Sequence, residues 1–109
     1  MRKCLLWGVL LLALASCANR SVRKPEVFLD EPQMVDVLTD AYLIEAQLNQ
    51  MKLDGQEVAG LQAAYYDQLF EHYGLTDSIF EQNMVYYTHH PDILERVMDS
   101  VTNRLVQAQ

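Results

Sequence analysis

The sequence predicts an all-α fold, a small bundle of three or four helices behind an apolar leader and a short basic tether. Three observations predict it. Apolar residues between Met34 and Leu105 recur every three or four positions, and no stretch alternates apolar with polar as a half-buried strand would. Breakers at Asp54-Gly55, Gly74 and His89-His90-Pro91 divide that region into segments the length of ordinary helices. Roughly 80 residues remain once leader and tether are set aside, enough for one core and not for two.

The leader comprises residues 1–16. Arg2 and Lys3 precede an apolar run from Leu5 to Leu14, and Leu14-Ala15-Ser16 leads into Cys17. That run is too short to span a bilayer permanently, and the order of charge, apolar stretch, small residues and cysteine is that of a secretory signal ending in a lipobox. The expectation is cleavage before Cys17 and acylation of its thiol. Cys4 leaves with the leader, so the mature chain keeps one cysteine, which carries lipid, and no disulfide forms within the monomer. Residues 17–25 form the tether, whose Arg20, Arg23 and Lys24 suit anionic head groups at about 1 kcal/mol each. Ala18 stands where an aspartate would signal inner-membrane retention, and no acidic run follows Cys17. By analogy with known sorting, the expected location is the outer membrane, facing the periplasm.

The helical domain occupies residues 26–109. Asp30 is placed as an N-cap with Gln33 three residues on, and Met34, Leu38, Ala41 and Leu48 recur at helical spacing, so the first helix runs to about Lys52. Asp54-Gly55 turns the chain. A second helix is expected from about Gln56, with Val58, Leu61, Tyr65 and Leu69 on one stripe, ending at Gly74 in a left-handed conformation. Thr76 then caps a third helix, with Asp77 at the positive end of its dipole and Leu75 and Phe80 at the two positions of a hydrophobic staple. Phe80, Met84 and Tyr87 form its inward stripe. His89-His90-Pro91 ends that helix, because the residue before a proline resists the helical conformation, and Pro91 suits the first turn of a fourth. Leu94, Val97, Met98, Val101 and Leu105 face inward there, with Asp92 and Arg96 one turn apart and able to pair.

Charge excludes several functions. All 15 acidic residues fall between Glu26 and Asp99, and the three cations Lys52, Arg96 and Arg104 leave the domain at −12. Such a surface is repelled by phosphates. Phe70 to Tyr87 imitates a helix-turn-helix, but its second helix carries Asp77 and Glu81 and no Lys or Arg, so nucleic acid is excluded as a partner. Asp36 and Asp40 share a face without a third ligand, and the adjacent His89 and His90 diverge, so no metal site is expected and the Asp36–Asp40 face reads as solvated. His72 reads as a histidine at the core's edge. No serine or cysteine nucleophile has a partner motif, and no cofactor is expected.

Met34-Val35-Asp36-Val37-Leu38 with Asp40 and Glu45-Ala46, Tyr65-Tyr66, Phe70-Glu71-His72-Tyr73-Gly74-Leu75-Thr76, and Tyr86-Tyr87 followed by His90-Pro91 together resemble a family of small Gram-negative lipoproteins. Its single domain is all-helical and has no assigned function. His90 departs from the asparagine expected before the proline, and histidine caps a helix poorly. What the resemblance implies is compartment and helical fold, without an activity.

Five residues stand out as binding or structural polar candidates: Glu45, Tyr65, Tyr66, Tyr86 and Tyr87. Glu45 falls near the centre of the first helix's apolar arc, where a charge requires partners. Either tyrosine hydroxyls or Arg96 hold it inside the domain, or the face is open and it meets a ligand; the first is the expectation. Tyrosine suits both a core's rim and a binding surface. Tyr65-Tyr66 and Tyr86-Tyr87 are adjacent pairs on separate helices, so at least one ring of each is expected to point outward. The expected role is that of a structural or accessory interaction protein of the envelope with a protein partner; the alternative is a chaperone-like peptide binder, and an enzyme ranks last.

Overall fold

A computed structural model describes residues 22–109. The leader, Cys17 and Arg20 lie outside the described residues. Four helices follow the tether, and no described residue is in a strand: α1 Glu31–Leu53, α2 Leu61–Tyr73, α3 Asp77–Thr88 and α4 Pro91–Gln107. The all-α expectation holds. None of these helices is long and apolar enough to cross a membrane.

Local chemistry sets most boundaries. Asp30 and Gln33 close a reciprocal capping box, the Asp30 carboxylate accepting from the Gln33 amide N–H at 2.9 Å and the Gln33 side chain from the Asp30 N–H at 3.0 Å. At the end of α2, Gly74 sits at φ 66° and ψ 33°; its N–H reaches the Glu71 carbonyl, and the Leu75 N–H reaches Phe70 at 2.8 Å. Those two bonds are a Schellman motif, which satisfies carbonyls the helix would otherwise leave unpaired. Thr76 caps α3 through Ile79, 3.2 Å away, and Leu75 and Phe80 pack against the same apolar cluster as a staple should. Pro91 opens α4. His90 makes no cap bond there, as expected of histidine; its Nδ1 pairs with the Tyr86 carbonyl at 2.7 Å instead.

The start of α2 differs from the expected one. Gly55 and Gly60 both adopt positive φ, 79° and 84°, and the Leu61 N–H turns back to the Val58 carbonyl, so the helix begins at Leu61 rather than near Gln56. Val58 therefore lies in the connecting loop. The stripe rotates accordingly: Leu69 and Phe70 are buried and Tyr66 and Tyr73 pack beside them, while Leu61 and Tyr65 are half-buried.

α1 is the central strut. On one side Met34, Val35 and Leu38 meet Leu29, Tyr86, Tyr87, Val97 and Val101; on the other Val37 and Ala41 meet Leu69 and Phe70. Leu75 and Phe80 touch both clusters, so one core continues around α1. Contacts order the neighbours. α4 lies along the first half of α1 in the same direction, Arg96 meeting Glu31 and Arg104 meeting Asp36. α2 returns antiparallel, Tyr73 meeting Asp40 and Tyr66 meeting Glu45.

Candidate functional site

Four acids descend α1, and each is held by a neighbouring helix. Glu31 receives Arg96 through Nε and Nη2, at 3.1 and 2.8 Å, and Asp36 receives Arg104. Asp40 accepts the Tyr73 hydroxyl; Glu45 accepts the Tyr66 hydroxyl at 2.7 Å and Gln62 Nε2 at 3.3 Å. Arg96 thus pairs with Glu31 rather than Asp92, because α4 packs against the start of α1. The Asp36–Asp40 face is not simply solvated, since both residues are half-buried cross-links.

Glu45 is exposed, although its angular position matches the apolar arc. At that level α2 covers one side of it and leaves the other open. Tyr66 meets it as expected and Arg96 does not, the arginine being engaged four turns away at Glu31. Proximity to carboxylates marks the tyrosines. Burial first, then the hydrogen bond and charge of Glu45, push the Tyr66 phenol up to about 12. Burial, then Asp40, do the same for Tyr73, with Asp36 adding and Arg104 opposing.

Tyr86 and Tyr87 are both buried, 6% and 0% exposed, so neither ring of that pair points outward. The reason lies upstream in the chain. Phe28 folds back over α3, edge-on to Tyr86 at 5.1 Å and stacked on Tyr87 at 6.0 Å, while His90 stacks on the other side of Tyr86 at 4.2 Å. Lys24 Nζ stands 4.8 Å over the Phe28 ring. The Tyr87 hydroxyl donates to the Leu29 carbonyl at 2.6 Å, and burial followed by the charges of Glu31 and Asp30 pushes its pKa up to about 12.

Asn83 completes this clasp and was not singled out in the sequence. It is fully buried: Oδ1 accepts the Leu29 N–H at 2.8 Å, and Nδ2 donates to the carbonyls of Val27 at 2.9 Å and Ile79 at 2.8 Å. The segment that leads into α1 is therefore bolted to α3. A sequence signal did exist, because Asn83 falls between Phe80, Met84 and Tyr87 on the inward arc of α3, where an amide requires partners.

Two of the surface grooves bear on binding. One, between α1 and α2, has Ile44 and Leu69 as its floor and Asp40, Gln47, Tyr65, Gln68 and His72 around it. His72 is exposed rather than at a core edge, its ring edge-on to Tyr73 at 4.9 Å. The other is apolar, lined by Tyr42, Leu43, Ala46, Leu105, Ala108 and Gln109. Among the described residues no three of His, Cys, Asp and Glu are placed to hold a metal ion, and every buried side-chain nitrogen or oxygen has a partner.

The family described as Domain of unknown function (DUF4296) matches residues 25–109, and the chain belongs to that family. No curated protein and no solved structure matches the chain.

Proposed function

We propose that the chain, as a member of this family, is a lipid-anchored envelope protein whose helical domain works by binding other proteins rather than by catalysis. The observation that carries the location is Leu14-Ala15-Ser16-Cys17 after its apolar run, which implies an acylated N-terminus and, with Ala18 next, the periplasmic face of the outer membrane. Binding is supported by how the polar side chains are used. Glu31, Asp36, Asp40, Glu45, Asn83 and Tyr87 all join one part of the fold to another, so these side chains are occupied in holding its elements together. Tyr42, Leu43, Leu53 and Val106 are large apolar side chains left exposed, which suit contact with a partner.

A second reading, a chaperone-like peptide binder, is favoured by the α1–α2 groove. Its apolar floor and rim of Gln47, Gln68 and Tyr65 offer amide and hydroxyl partners to an extended backbone. Intact-mass analysis of the membrane fraction tests the anchor: a mature chain beginning at acylated Cys17 is expected, with Cys17→Ser left unprocessed. An unmodified terminus beyond Cys17 would refute it. Crosslinking the anchored protein in cells should recover an envelope protein in fixed ratio if it is an accessory module, and many unrelated unfolded chains if it is a chaperone.

A further inference from the structure

Charge is unevenly spread over this acidic domain. No acid occurs from Ala46 to Leu53 on α1 or from Ser100 on α4 to Gln109 just past its end, although fifteen lie elsewhere. Several exposed large apolar side chains lie in or beside these stretches: Leu53 at 74% and Val106 at 65% within them, and Tyr42 and Leu43, just before the first, at 46% and 45%.

On α1 these residues fall in a register. Val35, Thr39, Tyr42, Ala46, Asn49 and Leu53 follow alternating steps of four and three, which places them within a stripe about 80° wide at 3.6 residues per turn. Val35 and Thr39, at 5% and 8% exposure, are buried at the half of α1 that α4 covers. The end of α4 passes beside Tyr42, Leu43 and Ala46 in the apolar groove, and from Tyr42 onward the stripe is open. Beyond the end of α4 the stripe has the spacing of a coiled-coil seam.

The open half reads the same in both directions. Tyr42, Ala46, Asn49 and Leu53 are spaced four, three and four, so a second α1 laid antiparallel sets Tyr42 against Leu53 at both ends and Ala46 against Asn49 between them. Alanine at the middle lets the backbones approach, and the amide of Asn49 is of the kind that fixes register in a coiled-coil seam. The flanks agree. Glu45 and Lys52 lie on the same side of the stripe, and the antiparallel register brings the lysine of one copy toward the glutamate of the other. In this register two domains of −12 charge could meet without setting acid against acid.

We infer that this face binds a second copy of the same chain through antiparallel pairing of the two α1 helices, with Leu105 and Val106 at the edge of the contact. The inference rests on reading the domain as a binding module and names its partner. The seam covers three turns of helix, less than the roughly 800 Å² per partner of a standard interface, so the dimer is weak when free and is favoured where lipid anchors hold copies in one plane.

The test uses the full chain purified from membranes in mild detergent. Sedimentation should show dimer growing with protein concentration, and Ala46→Glu, at an exposed position, should weaken association by at least about tenfold without moving the melting temperature. Tyr42→Cys chain mixed with Leu53→Cys chain should form a 42–53 disulfide identified by mass spectrometry. Tyr42→Cys alone should form no 42–42 link, since antiparallel pairing separates those positions by about 16 Å along the axis, beyond a disulfide's reach. A chain monomeric at every concentration, association indifferent to Ala46→Glu, or a dominant 42–42 link would each overturn the proposal. A different protein captured on this stripe while the chain stays monomeric would overturn the second copy as occupant and leave the binding-module reading standing.

Discussion

Asn83→Ala should be among the most damaging single substitutions in the domain. The alanine removes three hydrogen bonds at once, and their environments differ. The Leu29 N–H is buried beneath Phe28 and α3, so without Oδ1 it becomes an unsatisfied buried donor, a loss of about 1–3 kcal/mol. The Val27 carbonyl lies in an exposed residue and can turn to water, and the Ile79 carbonyl lies within α3, so together these add about 1 kcal/mol. The expected total is about 2–4 kcal/mol. For a domain of this size that lowers the melting temperature by roughly 10–25 °C. Thermal and urea melts of the full chain measure it, and hydrogen exchange locates it, because the Leu29 amide should lose protection first. Asn83→Asp provides the sharper test. It keeps the acceptor for Leu29 but turns a carboxylate toward two carbonyls, so the folded state favours the protonated acid. A folded pKa raised above the unfolded value contributes stability at low pH that is lost as pH rises through it, so this variant should be nearest wild type in acid and weakest at neutral pH. An Asn83→Ala chain melting within about 0.5 kcal/mol of wild type would show that the clasp does not hold the fold together.

Gly74→Ala forces a side chain into a left-handed conformation where no neighbouring atom lies within 4 Å, so its cost is backbone strain alone, about 1 kcal/mol, and Thr76→Ala should lose a similar amount through the cap; denaturant midpoints check both. Glu45→Ala should cost less than about 1 kcal/mol, because the Tyr66 hydroxyl it abandons is only half-buried and can turn to water; a melt lowered by more than that would show a carboxylate far more enclosed than its exposure indicates. Tyr66, Tyr73 and Tyr87 all have phenols pushed up to about 12, so the fold favours their neutral forms: the stability this contributes is complete below pH 10 and is lost as pH rises from 10 to 12. Ultraviolet titration should show at least three phenols ionising late in the folded chain and at ordinary pH in denaturant, and simultaneous ionisation in both would refute the environments described.

Boundaries were legible where the signal was local. The Asp30–Gln33 box, Gly74, Thr76 and Pro91 each act within one turn of chain, so residue type and spacing sufficed to place the starts of α1, α3 and α4 and the end of α2. The start of α2 was not legible, because Val58 continues the helical spacing while Gly60, a residue tolerated within helices, takes a conformation only tertiary structure selects. Site residues divided the same way. That a tyrosine would meet Glu45 followed from the pattern, but its exposure did not, since an apolar arc says which face is inward and not how far a neighbouring helix extends along it. Burial of both Tyr86 and Tyr87 depended on Phe28, nearly sixty residues upstream, for which the helical period of α3 carries no information.

The four acids of α1 explain why so acidic a domain is not merely a well-solvated one. Glu31 and Asp36 meet arginines and Asp40 and Glu45 meet tyrosines, so the first pair selects α4 and the second α2. Each contact is too exposed to add much stability; the two ion pairs are 43–62% exposed at their side chains, the range in which such pairs contribute about 0–1 kcal/mol. Their effect is on specificity. Sliding α4 by one turn along α1 would part Arg96 and Arg104 from both acids together, and reversing α2 would set Tyr66 and Tyr73 against the wrong carboxylates, so the alternatives lose several weak contacts at once. The apolar clusters on their own discriminate less, because Val, Leu and Met at helical spacing accept neighbouring registers. With those acids engaged by α2 and α4, the stripe from Tyr42 to Leu53 is left as an exposed face of α1 with apolar side chains and only the end of α4 beside it, the face a partner would cover.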